Sequence, residues 1–348
     1  MKLKKILSLL LTTCLSVSLV ACSQAKQVET TETVENKATE VQPTEAVENK
    51  ATEVKFPERE ITIVVPYDAG GASDMASRIV ATGIEDALDA TVLVENRSGG
   101  TGSVGMSYAR AAKADGYTIC YIPVELVMQK PLEISDLVPE DFAMIGQLTT
   151  VPAALTVSAD SEFETVEDFI EYAKANPGKV NVGNSGNGSI WHLAATMLEN
   201  ETGTSFNHIP YDGAASAVTS LMGGHIDAVT VNAGEVLAGV EAGKLKVLAL
   251  MTEERDQASF ADIPTLKECG INVVMGGWGA LAVPKDTPQE IVDILSNAVE
   301  EAAATQEFND FISERGMIVT HKNAADAKVF VDEQNVLFAD LLSKVEIN

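Results

Sequence analysis

Three short glycine-rich turns are the segments of this sequence whose residue types could bind an anion. They occupy positions 70–73 (GGAS), 186–189 (GNGS) and 212–215 (DGAA), and each joins a predicted strand to a predicted helix. The free backbone N–H groups of a helix start attract negative charge. In open α/β sheets, ligands bind beside such turns at the carboxyl ends of strands. If the turns face each other across a cleft, they would suit a small molecule with two separated carboxylates.

The first of these turns has the clearest local context, ITIVVPYDAGGASD at 61–74. Its β-branched run is typical of a strand covered on both faces, and Pro66 ends that strand because proline cannot donate to a ladder. Ser73 and Asp74 stand where an N-cap or a first-turn acid belongs, which predicts a helix start there. The alternative interpretation is an ordinary βα turn without a ligand.

Strand and helix patterns alternate around these turns over roughly 290 residues, which predicts two α/β lobes. The succession from 61 to 122 favours a parallel sheet with helices on its faces. Two apolar runs at 142–157 mark the place where we expect the chain to cross between the lobes.

The first 22 residues predict an export signal. Three lysines precede an apolar run at 6–19 that is too short to span a bilayer. The segment LVAC at 19–22 matches a bacterial lipoprotein cleavage site, so Cys22 would carry a lipid at the mature N-terminus. A buried N-terminal helix is the alternative. We therefore predict an extracytoplasmic protein anchored to the outer face of the cell membrane and attached to the lipid bilayer through Cys22.

Residues 23–55 predict a disordered tether between the lipid and the folded part. The octapeptide VENKATEV occurs there twice, and no aromatic residue precedes Phe56 in this segment. Such a polar stretch cannot bury enough apolar surface to fold alone.

The charge of the chain excludes some partners. The formal net charge is −27, and removing three lysines with the leader takes it to about −30. Nucleic acid is therefore not expected as a partner, because phosphate binding needs a basic surface. An anionic ligand remains compatible with this charge, because oriented backbone amides can attract it locally.

Other motifs give weaker signals. No CxxC occurs and the four histidines are scattered, so no metal site is predicted. The sequence does not decide whether Cys120 and Cys269 form a disulfide. Residues 100–105 match GxGxxG, with Glu125 about twenty residues on, which resembles a dinucleotide fingerprint. However, five residues separate the preceding strand from the first glycine, and an exported protein has little access to a nicotinamide cofactor. We predict no cofactor.

The sequence resembles the solute receptors of tripartite tricarboxylate transporters, the Bug family, from Phe56 to about Lys344. The similar segments are PYDAGGASD, VENRSGGTGSVG with ADGYT, NPGKVNVGNSGNGSIWHL, IPYDGAASAVTSLMGGHID, ADIPTLKECG and WGALAVPKDTP. The resemblance implies a type II periplasmic-binding-protein fold, in which two α/β lobes close on a ligand cleft. We expect residues 56–148 and 278–348 in lobe 1 and residues 149–277 in lobe 2.

The resemblance also implies a receptor without catalytic activity, which delivers a di- or tricarboxylate or an amino acid to membrane permease subunits. Family members contact ligand carboxylates largely through backbone amides, hydroxyls and water. Transferred by motif position, the ligand-binding residues would be Tyr67, Gly70, Gly71, Ala72 and Ser73 in lobe 1, and Asn184, Ser185, Gly188, Ser189, Tyr211, Gly213, Ala214 and Asn232 in lobe 2. For the side chains among them, turn formation or helix capping alone is the alternative.

Three acidic residues depart from the family pattern and are candidates for specificity. Asp68 replaces part of a proline-rich loop, Asp212 stands where lysine is common, and Glu125 falls in a loop that is often Gly, Ser and Thr. Near an anionic ligand each would cost Coulomb energy. They either point into solvent or indicate a ligand with a cationic group or a lower negative charge, such as an amino acid.

Two other functions use the same features. A sensory binding protein that signals to a membrane kinase would have the same cleft and a different partner surface. An exported α/β enzyme is a weaker alternative, because the sequence has no nucleophile–base pattern and no GxSxG elbow.

Overall fold

The computed structural model describes residues 55–255 and 260–345. The predicted leader, the Cys22 lipid site and the tether up to residue 54 lie outside the described residues. The strands are β1 (Ile61–Val65), β2 (Val92–Asn96), β3 (Thr118–Pro123), β4 (Phe142–Pro152), β5 (Ala154–Ser158), β6 (Asn181–Asn184), β7 (Asn207–Pro210), β8 (Ala228–Val229), β9 (Leu245–Leu250), β10 (Gly276–Pro284) and β11 (Ile318–Lys322). The helices are α1 (Ala72–Leu88), α2 (Ser103–Arg110), α3 (Val166–Ala175), α4 (Ile190–Thr202), α5 (Ala214–Met222), α6 (Ala233–Glu241), α7 (Gln289–Ala303), α8 (Gln306–Glu314) and α9 (Ala324–Leu342), with short 3₁₀ helices at Val124–Val127 and Pro139–Asp141.

The strands form two sheets, which we call the sheets of lobe 1 and lobe 2. The lobe 1 sheet has the order β11-β4-β10-β3-β1-β2, and the lobe 2 sheet has the order β7-β6-β8-β5-β9. Parallel pairing is confined to β2-β1-β3 and to β7-β6-β8, while β4, β5, β9, β10 and β11 pair antiparallel. The α/β class is confirmed, and both sheets are mixed.

The chain passes between the sheets at two adjacent places. Ala153 separates β4 from β5, and its N–H donates to the Met275 carbonyl just before β10. The Ala153 carbonyl in turn accepts from the N–H of Met251, just after β9. The outgoing and returning connections are therefore hydrogen bonded to each other. The residue bounds given above for the lobes stay a prediction.

The β1 strand is buried as its β-branched sequence predicts, with Ile61, Ile63 and Val64 fully covered. Burial of side chains of this size contributes about 1.5–3 kcal/mol each. On one face of the sheet, α1 packs on α7 at such short range that a Cβ on Gly83 would clash with Ala302. This close packing fixes the second half of α1 against α7.

A second close approach shapes the cleft from lobe 1. Gly279 of β10 lies against the hydroxyl of Tyr121 in β3, and any side chain at 279 would displace that hydroxyl. Glycine at this position therefore leaves room for the Tyr121 ring.

No helix in the described part of the chain has the length and apolar character needed to cross a membrane.

Candidate functional site

A small cavity of about 40 Å³ lies where the carboxyl ends of β1 and β3 approach the helix starts of lobe 2. Its walls include residues from both sheets, among them Ser73 of α1 and Ser185 after β6. A site for one water needs about 10–15 Å³, so the cavity of about 40 Å³ has room for about three to four waters. The cavity is therefore small, and it is partly open to solvent.

The start of α1 is occupied by an acidic side chain from lobe 2. The Ala72 N–H donates a 2.7 Å hydrogen bond to Oε1 of Glu235, which lies in the first turn of α6. The other carboxylate oxygen of Glu235 accepts from the Asn232 N–H at 3.1 Å, within the capping box of α6. Glu235 thus interacts with the N-terminal ends of two helices, one in each lobe.

The start of α4 is occupied by an acidic side chain from lobe 1. Glu125 belongs to the 3₁₀ helix that follows β3, and its Oε1 accepts from the Ile190 N–H at 3.0 Å. Only 2% of Glu125 is exposed. This carboxylate is thus almost fully removed from water, and one helix start of lobe 2 stabilises it.

The start of α5 is occupied in the same way. Asp68, in the loop between β1 and α1, accepts from the Ser216 N–H at 3.0 Å and also from the Ser216 hydroxyl. Gly213 provides the space for this carboxylate, because a Cβ there would collide with it. The second carboxylate oxygen of Asp68 is buried and has no hydrogen-bond partner.

The helix starts of all three predicted turns, α1, α4 and α5, thus each bind a carboxylate from the opposite lobe. Burial, together with the nearby negative charges of Asp68 and Glu125, raises the pKa of Glu235 to about 7. Burial also raises the pKa of Glu125. Among the described residues that line the cavity, none is Lys, Arg or His. The cavity therefore brings three carboxyl groups together without a basic side chain to balance them, and Glu235 is partly protonated at pH 7.

Aromatic side chains complete the walls: Tyr67, Tyr121, Trp191 and Trp278. Two of them carry buried polar atoms that lack a partner, the Tyr67 hydroxyl and the Trp278 indole N–H. Burial, followed by the charge of Glu125, raises the pKa of Tyr67, and burial raises the pKa of Tyr121 to about 12. Both phenols are therefore neutral at physiological pH.

The structure brings together only part of the set predicted from the sequence. The predicted residues that line the cavity are Tyr67, Asp68, Gly71, Ala72, Ser73, Glu125, Ser185 and Ala214. Those that lie outside its lining are Gly70, Asn184, Gly188, Ser189, Tyr211, Asp212, Gly213 and Asn232. Asp212 is exposed, in contrast to the other two acidic candidates.

Several predicted residues outside the cavity have a local structural role. Ser189 caps α4, since its hydroxyl accepts from the His192 N–H at 3.2 Å. His192 is buried against His208 and accepts from the Gly188 N–H at 3.0 Å. Burial, and then the charge of His208, lower the pKa of His192 to about 4. The Tyr211 hydroxyl donates to Ser220 at 2.5 Å.

Asn232 links the start of α6 to the end of β4 and to the turn between α8 and β11. Its fully buried amide donates to the carbonyls of Pro152 and Gly316, at 2.8 and 3.0 Å, and its oxygen accepts from the Gly234 N–H at 2.9 Å. All three hydrogen bonds go to backbone groups, so the side chain fixes the start of α6 and does not line the cavity.

Sequence reasoning did not identify Glu235, Tyr121 or Trp278 as site residues. Glu235 follows Asn232 by three residues after a strand, which is the signature of a capping box and could have located the helix start. No local signal indicates that this glutamate also reaches α1, which is 163 residues away along the chain.

The motif that resembles a dinucleotide fingerprint has a different role. The Thr101 hydroxyl donates to the Asn187 carbonyl at 2.9 Å, so this turn joins lobe 1 to the 186–189 turn of lobe 2. Gln129 fixes the same turn by donating to the Thr101 carbonyl at 2.8 Å. Cys120 and Cys269 are both free thiols.

Comparison with known proteins assigns the chain to a family. Residues 76–346 match the model of the tripartite tricarboxylate transporter family receptor, TctC. The chain belongs to this family. The resemblance noted in the sequence is thereby confirmed, and this receptor is 31% identical to Protein BugT of Bordetella pertussis over 252 residues, which cover 71% of this chain and 77% of BugT.

Solved structures of similar proteins confirm the periplasmic-binding-protein fold of this receptor. A TctC solute binding protein from Polaromonas, solved with no ligand, is 38% identical with a TM-score of 0.60, covering 84% of this chain and 100% of that one. An R. palustris protein solved with adipate is 26% identical with a TM-score of 0.78, covering 83% of this chain and 98% of that one. The chain is a solute-binding receptor of the extracytoplasmic type, and the Polaromonas relative is named as a solute binding protein.

Proposed function

We propose that this receptor captures a small carboxylate-bearing ligand by closure of its lobes and delivers it to the membrane permease subunits of a tripartite transporter. The observation that carries the proposal is the cavity itself, which the starts of α1, α4 and α5 surround from both lobes. Helix N-termini stabilise anionic groups through free N–H groups and the helix dipole. Family membership and the relative solved with adipate support a carboxylate as the ligand.

Lobe closure is supported by the contacts across the cleft. Asp68, Glu125 and Glu235 each hydrogen bond to the opposite lobe, and these bonds exist only while the lobes are together. The relative with adipate superposes better than the relative without ligand, although the latter is more similar in sequence. That pattern is expected if closed lobes are the ligand-binding arrangement of this family.

Ligand binding to the cavity can be measured directly, because both tryptophans of the chain, Trp191 and Trp278, line it. We expect intrinsic fluorescence to change on titration with a bound carboxylate, and the melting temperature to rise with ligand concentration. Glycine, glutamate, succinate, adipate and citrate form a suitable first panel. A matched test is Ser185→Ala, which changes the cavity wall, beside Ser161→Ala, which lies outside it.

Absence of any fluorescence or thermal response to such compounds would contradict the ligand part of the proposal. Turnover of a bound compound, detected by mass spectrometry of the mixture, would favour an enzyme instead.

The lipid anchor and the transporter partner need separate experiments. We propose that Cys22 carries the lipid, so Cys22→Ser should release the receptor from the membrane fraction without changing ligand affinity, since the leader pattern ends at that residue. Cross-linking of the ligand-loaded receptor in intact cells should recover membrane permease subunits. Recovery of a membrane kinase in their place would favour a sensory function.

A further inference from the structure

The cavity gathers three acidic side chains of the protein. Protonation of Glu235, whose pKa is raised to about 7, removes part of their negative charge. Asp68, Glu125 and Glu235 all line a space of about 40 Å³, and no basic side chain shares the described lining. Asp68 and Glu125 each accept from one helix start and Glu235 accepts from two, which is partial compensation only. An occupant with a positive group would remove the remaining imbalance, whereas a second carboxylate would add to it.

The positions that would bind ligand carboxylates are already in use. The N–H groups of Ala72, Ile190 and Ser216 each donate to a carboxylate of the protein itself. A di- or tricarboxylate would have to displace at least one of these side chains and leave it buried without its partner. Leaving a buried charge unpaired is strongly unfavourable.

A separate observation indicates that the occupant also carries an acceptor. The indole N–H of Trp278 and the hydroxyl of Tyr67 are without partners, and the two residues are 5% and 7% exposed. An indole N–H can only donate, so its partner must be an oxygen or another acceptor. Buried donors in native proteins are nearly always paired, so the Trp278 N–H needs an acceptor. The Tyr67 hydroxyl lies beside Glu125 and Ser185 and can donate to a ligand acceptor instead.

The size of the cavity and the lack of metal-site geometry narrow the choice further. The space favours a small occupant. No group of three His, Cys, Asp or Glu side chains in the described residues is arranged to hold a metal ion. A small organic ammonium group remains as the positive partner, and aromatic walls stabilise such groups.

We propose that this cleft selects a small amino acid without net charge, with its ammonium group among Asp68, Glu125 and Glu235 and its single carboxylate on the donors of Trp278 and Tyr67. The inference rests on the proposed receptor function and names the class of ligand for the same cleft. It assigns the three cross-lobe carboxylates to ligand recognition. Di- and tricarboxylates are therefore expected to bind this cleft weakly.

Calorimetric titration with matched probes tests each half of the ligand. Glycine and β-alanine carry both groups, acetate and propionate lack the ammonium, methylamine and ethylamine lack the carboxylate, and succinate and citrate carry extra carboxylates. We expect one of the amino acids to bind at least about 10-fold more tightly than every probe that lacks either group, since a hydrogen-bonded charge contributes on the order of a factor of ten or more. Succinate and citrate should bind more weakly still.

Two variants separate recognition from folding. Glu235→Gln keeps an acceptor for Ala72 while removing the charge, and we expect it to weaken amino-acid binding by about 10-fold and to narrow the preference over succinate. Trp278→Phe should weaken the binding of the amino acid and leave the binding of methylamine unchanged, because methylamine has no carboxylate for the indole N–H. Asp212→Asn removes an exposed acid outside the cavity and is the matched control, with no expected change. If Glu235→Gln does not fold, as judged from its thermal transition, Asp68→Asn tests the same charge.

The outcomes distinguish the two proposals. Tighter binding of succinate or citrate than of the amino acids, unaffected by Glu235→Gln and Asp68→Asn, would overturn the amino-acid inference and leave the receptor function intact. Failure of every probe to bind, together with failure of a wider carboxylate panel, would overturn both.

Discussion

Glu235 accepts a 2.7 Å hydrogen bond from the backbone N–H of Ala72, the first residue of α1 in the opposite lobe. A side chain of lobe 2 therefore occupies the very helix start that the glycine turn at 70–73 predicts as an anion site. The same relationship holds in the reverse direction for Glu125 with Ile190 and for Asp68 with Ser216. Closure of this cleft is thus coupled to the state of three carboxylates.

The first prediction concerns the pH dependence of stability. Because burial raises the pKa of Glu235 from 4.5 to about 7, the folded chain keeps a proton that the unfolded chain loses between these pH values. The stabilising contribution of protonated Glu235 to the free energy of unfolding is complete below pH 4.5 and is lost as pH rises to about 7. The difference between these two pKa values corresponds to at most about 3 kcal/mol of unfolding free energy, and the partial exposure of the Glu235 side chain reduces this figure.

Urea unfolding of the native protein and of Glu235→Gln across this pH range measures the effect. The difference in the free energy of unfolding between the native protein and Glu235→Gln should change with pH up to about 7 and be constant above it. Carboxylates with a lowered pKa, such as Asp74, give an opposite trend in both proteins and cancel in the difference. Parallel curves would show that Glu235 titrates normally.

The second prediction separates the charge of Glu125 from its hydrogen bond. Glu125→Gln keeps an oxygen for the Ile190 N–H and removes a buried charge, so we expect the free energy of unfolding to change by less than about 1 kcal/mol. Glu125→Ala leaves that buried N–H unpaired and should cost about 1–3 kcal/mol. Equal losses for the two variants, measured in urea at pH 7, would mean that the charge itself stabilises the closed cleft.

The third prediction uses the space beside Gly213. Gly213→Ala places a methyl group where the Asp68 carboxylate lies, and the backbone there is extended, so strain is not the cause of any effect. We expect it to break the contact with Ser216 and to cost about 0.5–2 kcal/mol, the usual loss for a helix cap. Asp68→Ala should cost a similar amount.

Combining these two substitutions provides the control for that prediction. Because both remove the same contact, the double variant should be no less stable than the worse single variant. Additive losses in thermal unfolding would show that Gly213 and Asp68 act independently.

The fourth prediction concerns Asn232, which bonds to three backbone groups and does not line the cavity. Asn232→Ala should lower the free energy of unfolding by about 2–4 kcal/mol, because buried carbonyls and an N–H lose their partners. Ligand affinity of the folded protein should stay within about twofold of the native value, as measured by calorimetry well below the melting temperature. A large loss of affinity with unchanged stability would instead place Asn232 in ligand recognition.

Local sequence features were sufficient to predict the strands and turns of the cleft. The β-branched run before Pro66, the paired glycines after it and the apolar pattern that follows each act within a few residues. The helix of the second turn is likewise found where the Ser189 cap predicts it, and both depend on local backbone geometry. The position of three helix starts at strand ends was therefore available from the sequence.

The tertiary structure alone decided which side chains fill the cleft. Asp68 and Asp212 both lie beside glycine turns, yet only Asp68 lines the cavity and Asp212 is exposed. Glu235 reaches Ala72 across 163 residues of chain, a contact that depends on how two lobes are oriented. Turn and helix signals act between near neighbours in sequence, whereas pairing a carboxylate with a distant helix start requires the packed fold, and this is why the charge of the site emerged only from the structure.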